Sequence, residues 1–457
     1  MDLHELTATQ AVQAMRDGQL TSEQLVATCL VRIRELEPRV QAWAFLDPDY
    51  ALAQARRADE TRREGKVFGP LHGVPVGIKD IFDTADMPTE FGTVLHQGRR
   101  PTRDATAVAQ LRQAGAVIMG KTITTEFAYY APGKTTNPRD AKRTPGGSSS
   151  GSAAAVAAGM VPLAIGSQTN GSVLRPASFC GVFGFKPSYG LISRHGMLSL
   201  SRPLDQVGVF ARSIEDVALI GDCLMNYDAQ DADMQPRVRP SLARTAAEEP
   251  PAPPLFVLVK TPMWSKTQQD TQAGFAELIV HLGGQLHEVE LSISIEDGIA
   301  CHRLIMEADM ARNLASEYER GRGQLSAAMR AAIERGRRVT AEEYNRALAA
   351  MAPLTAVLDE LFLNYGTIVT PVVAGEAPLG LESTGDPIFC TFWTLCRTPS
   401  ISLPLLQGAN GLPIGVQLVG APDDDGRLLR SARWLVESVE AAARGAQVAT
   451  RARGRKR

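Results

Sequence analysis

The sequence is short of aromatic residues, at 6% Phe, Trp and Tyr, short of cysteine, at six in 457 residues, and nearly without net charge, at −2. Each scarcity excludes something. The cysteines Cys29, Cys180, Cys223, Cys301, Cys390 and Cys396 are scattered with no C-x-x-C pair, so neither a disulfide framework nor a zinc-ligand spacing is present, and a reducing cytoplasm is the expected compartment. Balanced charge offers no general attraction for a polyanion, which argues against nucleic acid or an anionic membrane as partner. The first residues, MDLHELTATQ, are acidic where a secretory leader would be basic and then apolar. An uncharged stretch runs from Thr144 to Leu174, but it is filled with Gly, Ser, Thr, Pro, Gln and Asn. A membrane-spanning helix needs about 20 mostly apolar residues in a row. What the chain does have is 44% hydrophobic and 21% charged residues, enough for a large buried core and suited to small neutral partners.

Along the chain, residues 1–65 read as two or three amphipathic helices, with Thr21-Ser22-Glu23 a capped start. From Gly69 the texture changes to short apolar runs punctuated by Gly and Pro: GVPVGIKDIF, then helix-like TAVAQLRQAG, then AVIMGK. That alternation predicts an α/β sheet. Residues 235–254, rich in Pro, Arg and Glu, read as an exposed connection. Beyond them come a strand at LFVLVK, a helix near 270–282, a long helical region from about 294 to 362, strands at TIVTP, SISLP and GVQLVG, and a last helix over about 426–443. The later strands are expected to join the earlier sheet. The final residues, ATRARGRKR, read as a solvated basic tail.

Three motifs compete for the chemistry. The run from Gly115 to Thr122 matches the phosphate-loop pattern G-x-x-x-x-G-K-T letter for letter. Its context is wrong, because the intervening Ala116-Val117-Ile118-Met119 itself reads as a strand instead of a flexible cradle. Gly147 to Gly151 forms G-x-S-x-G with Ser149 at its centre. His195, His281, His287 and His302 follow it, so chain order permits a serine-histidine hydrolase, but the preceding DAKRTPGG is a polar turn where a nucleophile elbow needs a core strand. The third is a constellation of Lys79 in GVPVGIKDIFD, Ser148 in TPGGSSSGSAAAVAAG and Ser172 in GSQTNGSVLRPASFCG. A Gly/Ser loop running straight into AAAVAAGMVPLAIG reads as a buried helix and strand and not a linker. A glycine-flanked serine within a run of backbone N–H groups places a nucleophile beside donors for an oxyanion. A lysine buried in an apolar strand loses its charge readily and becomes a base.

These segments resemble the amidase signature family, strongest from Gly69 to Arg212 and again in YGTIVTP, RTPSISLP, GLPIGVQLVG and DDDGRLL. The resemblance implies an α/β fold in which a large mixed β-sheet is sandwiched between layers of α-helices. It also implies a catalytic Lys79, a Ser148 preceded by a cis peptide, and a nucleophilic Ser172, with the N–H groups of Thr169, Asn170, Gly171 and Ser172 as oxyanion hole. The chain departs from the common pattern D-x-G-G-S-I-R, having Gln168, Asn170 and S-V-L-R-P instead. Arg175 is expected either to hold a substrate carboxylate or to fix its own loop. Tyr129 and Tyr130 are expected to line the approach to the nucleophile or to pack in the core.

By the same resemblance residues 1–457 form a single amidase domain: an N-terminal helical region over 1–65, a catalytic core over 66–234, a linker over 235–254, the rest of the sheet with pocket helices over 255–445, and a flexible tail over 446–457. The implied activity is hydrolysis of carbon–nitrogen bonds in small non-peptide amides, with aryl amides, carbamates (urethanes) and esters presenting nearly the same carbonyl. The rival within the family is the glutamine amidotransferase component of tRNA-dependent amidation, which releases ammonia from glutamine. The expected partner is a small amide or carbamate. No cofactor and no metal are expected, and a homodimer is left open.

Overall fold

The sequence folds around one sheet of eleven strands, seen in a computed structural model that describes residues 2–66, 69–291 and 294–454, with side chains up to Arg444. The strands are β1 (Trp43–Leu46), β2 (Pro75–Lys79), β3 (Val117–Thr122), β4 (Leu163–Gln168), β5 (Phe183–Lys186), β6 (Gln206–Ala211), β7 (Phe256–Val259), β8 (Leu286–Val289), β9 (Thr367–Pro371), β10 (Ser400–Gln407) and β11 (Pro413–Gly420). Their spatial order is β1-β3-β2-β4-β6-β5-β10-β11-β9-β7-β8. β2 pairs in parallel with β3 and β4, and β7 with β8 and β9. The six other pairings are antiparallel. The sheet is therefore mixed, and helices cover it, as the resemblance implies. Its central strands read as unbroken apolar runs because both faces are covered: every residue of β2, β3, β4 and β6 is buried. β5 meets β10 with Phe185 opposite Ile401, and this one pairing joins the early strands to the late ones.

The capped start at Thr21 is present: its hydroxyl accepts from the Gln24 N–H while Gln24 reaches back to the Thr21 N–H, opening helix Ser22–Val40. Other expectations change. The region read as helices alone contains β1, and LHEV forms the edge strand β8. The stretch 235–254 is not wholly an exposed connection. Helix Leu242–Ala247 lies within it, Leu242 and Ala246 are buried, and the Asp222 carboxylate accepts from the N–H groups of Leu242 and Ala243. The long helical region divides into helices Ile295–Asn313, Ala315–Gly321, Ala327–Gly336 and Ala341–Tyr365. The last helix runs Asp425–Gly454, so much of the supposed tail is helical; residues 455–457 lie outside the described residues.

Candidate active site

Lys79 ends β2 with its side chain fully buried. β4 runs parallel to β2 as its neighbour, with Ile78 opposite Ile165, which brings Ser167 alongside the lysine. The Ser-rich loop that opens helix Ser150–Ala157 packs onto the same strand. A Cβ at Gly166 would stand 2.5 Å from Ser149 Oγ, so this approach requires glycine. Lys79 Nζ lies 2.7 Å from Ser148 Oγ and 2.9 Å from Ser167 Oγ. The Gly147–Ser148 peptide is cis. Burial holds the Lys79 ammonium form well below the ordinary lysine value; Asp205 opposes this by attraction and Arg175 adds to it by repulsion.

Ser172 sits in the turn between β4 and helix Leu174–Cys180, and is 7% exposed. Among the described residues the Ser172 hydroxyl forms no hydrogen bond, so Lys79 is linked to Ser148 but Ser148 is not hydrogen-bonded to Ser172.

The backbone of this turn is pinned carbonyl by carbonyl. Thr169 O lies 2.8 Å from His302 Nε2, Asn170 O accepts from Thr394 Oγ1 at 2.6 Å, Gly171 O from the Arg175 N–H at 3.0 Å and Ser172 O from the Ser149 N–H at 3.4 Å. A trans peptide points its C=O and its N–H in opposite directions. Fixing the first three carbonyls therefore turns the N–H groups of Asn170, Gly171 and Ser172 to the other side. None of the N–H groups of Thr169, Asn170, Gly171 and Ser172 donates to another described residue. Such a row of free donors is a site for negative charge. The next two N–H groups, of Val173 and Leu174, donate to Gln168 Oε1, while Gln168 Nε2 donates to Thr394 Oγ1. Gln168 thus receives the start of the helix as an acid would, and adds a donor that an acid lacks.

Asp205 supports the turn from below: Thr169 Oγ1 donates to it at 2.6 Å, as do the N–H groups of Leu200 and Ser201. Burial pushes its pKa up to about 6. A cavity of about 660 Å³ opens beside the turn. Asn170 and His302 line it, with Tyr129 and Tyr130, whose ring centroids are 4.3 Å apart, on one wall. Apolar side chains such as Ile299 and Met306 share the rest with the charged Arg303, Glu307, Arg335 and Asp386. Tyr130 is fixed there by a hydrogen bond from Asn170 Nδ2 to its hydroxyl oxygen at 3.1 Å.

Arg175 is placed differently from the substrate-binding expectation. It is buried, with Nε and Nη2 donating to Gly147 O and Nη1 to Gly385 O. It fixes the loop that carries Ser148, and its guanidinium is not among the groups lining the cavity. The phosphate-loop reading fails in space as well. Val117–Thr122 is β3, and Lys121 is buried against Asp80 at 3.0 Å and against Thr89 Oγ1 at 2.6 Å. Ser149 is buried, and among the described residues its hydroxyl hydrogen-bonds only to the Ser167 backbone. Among the described residues no cluster of three His, Cys, Asp or Glu side chains is placed to hold a metal ion. Sequence reasoning missed Ser167, Asp205, His302 and Thr394 as members of the site. The last two reach it from 133 and 224 residues away, with no local pattern to mark them.

The family model described as Amidase matches residues 24–429. The chain is 34% identical to a glutamyl-tRNA(Gln) amidotransferase subunit of Chloroflexus aggregans, over 94% of this chain and 95% of that one. Its fold superposes on the peptide amidase from Stenotrophomonas maltophilia with a TM-score of 0.84 at 27% identity, covering 95% of this chain and 97% of the other. A structure of a vestigial protein complex bearing on the origins of an s-triazine catabolic enzyme gives a TM-score of 0.89 at 25% identity, over 95% of this chain and 98% of the other. With the mixed sheet and the buried lysine–serine contact already in view, these matches settle the kinship: the chain belongs to the amidase signature family.

Proposed function

We propose that this protein is a serine amidohydrolase that cleaves small amides through an acyl-enzyme on Ser172. The observation that carries this reading is the fully buried Lys79, its amine 2.7 Å from Ser148 Oγ, beside a turn whose N–H groups are free. Burial that suppresses the charged form of a lysine favours its neutral amine, and a neutral amine accepts protons. On substrate entry the Ser172 hydroxyl donates to Ser148 and attacks the carbonyl carbon. Its proton passes to Ser148, whose own proton passes to Lys79. The N–H groups of the turn receive the developing oxyanion. The relay then runs backward to protonate the leaving amine, and water releases the acyl group by the same steps.

The largely apolar cavity with two tyrosines supports an acyl or leaving group that is aryl or alkyl, aryl amides and carbamates included. Burial of Arg175 against backbone carbonyls takes that cation out of the cavity, whose charged lining is instead Arg303 and Arg335 beside Glu307, and Asp386. A second reading, the glutaminase component of a tRNA-dependent amidotransferase, is favoured by the 34% identity to such a protein. Incubating the purified chain with simple amides, anilides, carbamates and glutamine separates the two. Unaided release of amine from the first three supports the amidohydrolase. Glutamine hydrolysis that appears only when a partner protein is added, and no turnover of the others, would replace it. The six free cysteines fit the reducing cytoplasm we propose as its setting, and light scattering tests the homodimer left open above.

A further inference from the structure

His302 lies in helix Ile295–Asn313, fully buried, and shares one face of that helix with Ile299, Arg303, Met306 and Glu307 along the cavity wall. Its Nε2 is 2.8 Å from Thr169 O, while its Nδ1 is buried with no partner among the described residues. A carbonyl oxygen can only accept, so Nε2 carries the hydrogen and Nδ1 is a bare acceptor. Burial, which pushes the imidazole pKa down to about 4, keeps this neutral form throughout the working range. An apolar ring of the same size would fill this position without leaving a buried polar atom unpaired. What the imidazole adds is the single hydrogen bond to Thr169. That bond fixes the plane of the Thr169–Asn170 peptide, whose N–H is one of the row of free donors.

We propose that His302 is a positioning residue for the reaction: its Nε2–H holds the Thr169 carbonyl so that the Asn170 N–H faces the oxyanion. It touches neither the nucleophile nor the base, and it acts through the peptide it holds. Oxyanion donors work by being in place before charge develops. Releasing this carbonyl therefore costs transition-state stabilisation and leaves ground-state binding in the cavity nearly unchanged. The inference rests on the reading of Ser172 as nucleophile.

The test compares the intact wild-type chain with His302→Phe, His302→Gln and Ser172→Ala. It measures kcat and KM for a primary aryl amide, inhibition by an arylboronic acid, and thermal unfolding. The boronic acid bonds to a serine hydroxyl and places a tetrahedral, negatively charged group in the N–H row. His302→Phe is expected to lower kcat about 10- to 100-fold and to weaken the boronic acid by a similar factor, with KM within about twofold. His302→Gln, which keeps a donor, is expected to recover most of both. If His302→Phe does not fold, His302→Asn, a polar side chain too short to reach Thr169, carries the same expectation. Unchanged boronic-acid affinity, a rise in KM with kcat intact, or equal losses in the Gln and Phe variants would overturn the proposal. Inhibition of the wild type that vanishes in Ser172→Ala upholds Ser172 independently. No inhibition of the wild type would overturn that reading and this one together, whereas equal inhibition of wild type and His302→Phe overturns this one alone.

Discussion

Lys79 concentrates the conflict between stability and chemistry. Its ammonium form is disfavoured by burial, so the unfolded chain binds a proton there more readily than the folded chain. Stability contributed by this group therefore falls as the pH drops from 10.5 toward the lowered folded-state value, and is lowest at acid pH. Replacing the amine with an apolar chain of similar length removes that cost. Lys79→Met is expected to raise the thermal midpoint at pH 6 by about 1–3 °C while lowering kcat/KM by at least about 10³-fold. Calorimetry and a turnover assay check the two together. Because the base must be neutral, kcat/KM in the wild type is expected to rise from acid pH and level off well below 10.5. An acidic optimum in a pH–rate profile would contradict the lysine as base. At this scale the sequence was most legible where the chemistry is local: the Lys79, Ser148 and Ser172 segments each carry their own signature. It was least legible for Arg175, whose partners Gly147 and Gly385 lie in separate loops, and for His302 and Thr394, which approach from distant helices.

Helices and strands were readable in proportion to their burial. The fully buried strands β2, β3 and β4 stand out as apolar runs. The edge strands β1 and β8 have only four residues each, of which only the first is buried in either, so no periodicity survives to identify them. The segment 294–362 reads as helical throughout, but its breaks depend on packing. Gly336 shows how: a Cβ there would stand 1.9 Å from the backbone oxygen of Glu307, so the two helices lining the cavity cross in contact. Gly336→Ala is expected to force them apart, destabilising the fold by about 1–3 kcal/mol and raising KM, as denaturant titration and kinetics would record. Gln168 anchors the short helix behind Ser172. Gln168→Ala is expected to release the N–H groups of Val173 and Leu174 at about 1 kcal/mol and to lower kcat, because the same side chain holds Thr394 against the turn that carries Ser172.

Across the whole molecule, the two halves of the chain share one sheet through the β5–β10 pairing, and they share one site. Lys79, Ser148 and Ser172 come from the first half, and His302, Thr394 and part of the cavity wall from the second. Neither half holds the turn from Thr169 to Ser172 alone. Circular dichroism and activity are therefore expected to be lost in one transition at the same urea concentration, and activity lost well before the sheet melts would contradict this coupling. The sequence implied one sheet because strands recur on both sides of residues 235–254, but it could not say which strands meet, since register depends on the three-dimensional path of the chain. The central claim, that Ser172 is acylated with Lys79 as its base, is tested most directly by mapping the covalent adduct. The chain is treated with a slowly turned-over aryl carbamate and the modified peptide is located by mass spectrometry. The expected result is one acyl group on Ser172 in the wild type, none in Ser172→Ala and much slower labelling in Lys79→Ala; an acyl group on Ser148, Ser149 or any other residue of Ser172→Ala, with turnover retained, would contradict it.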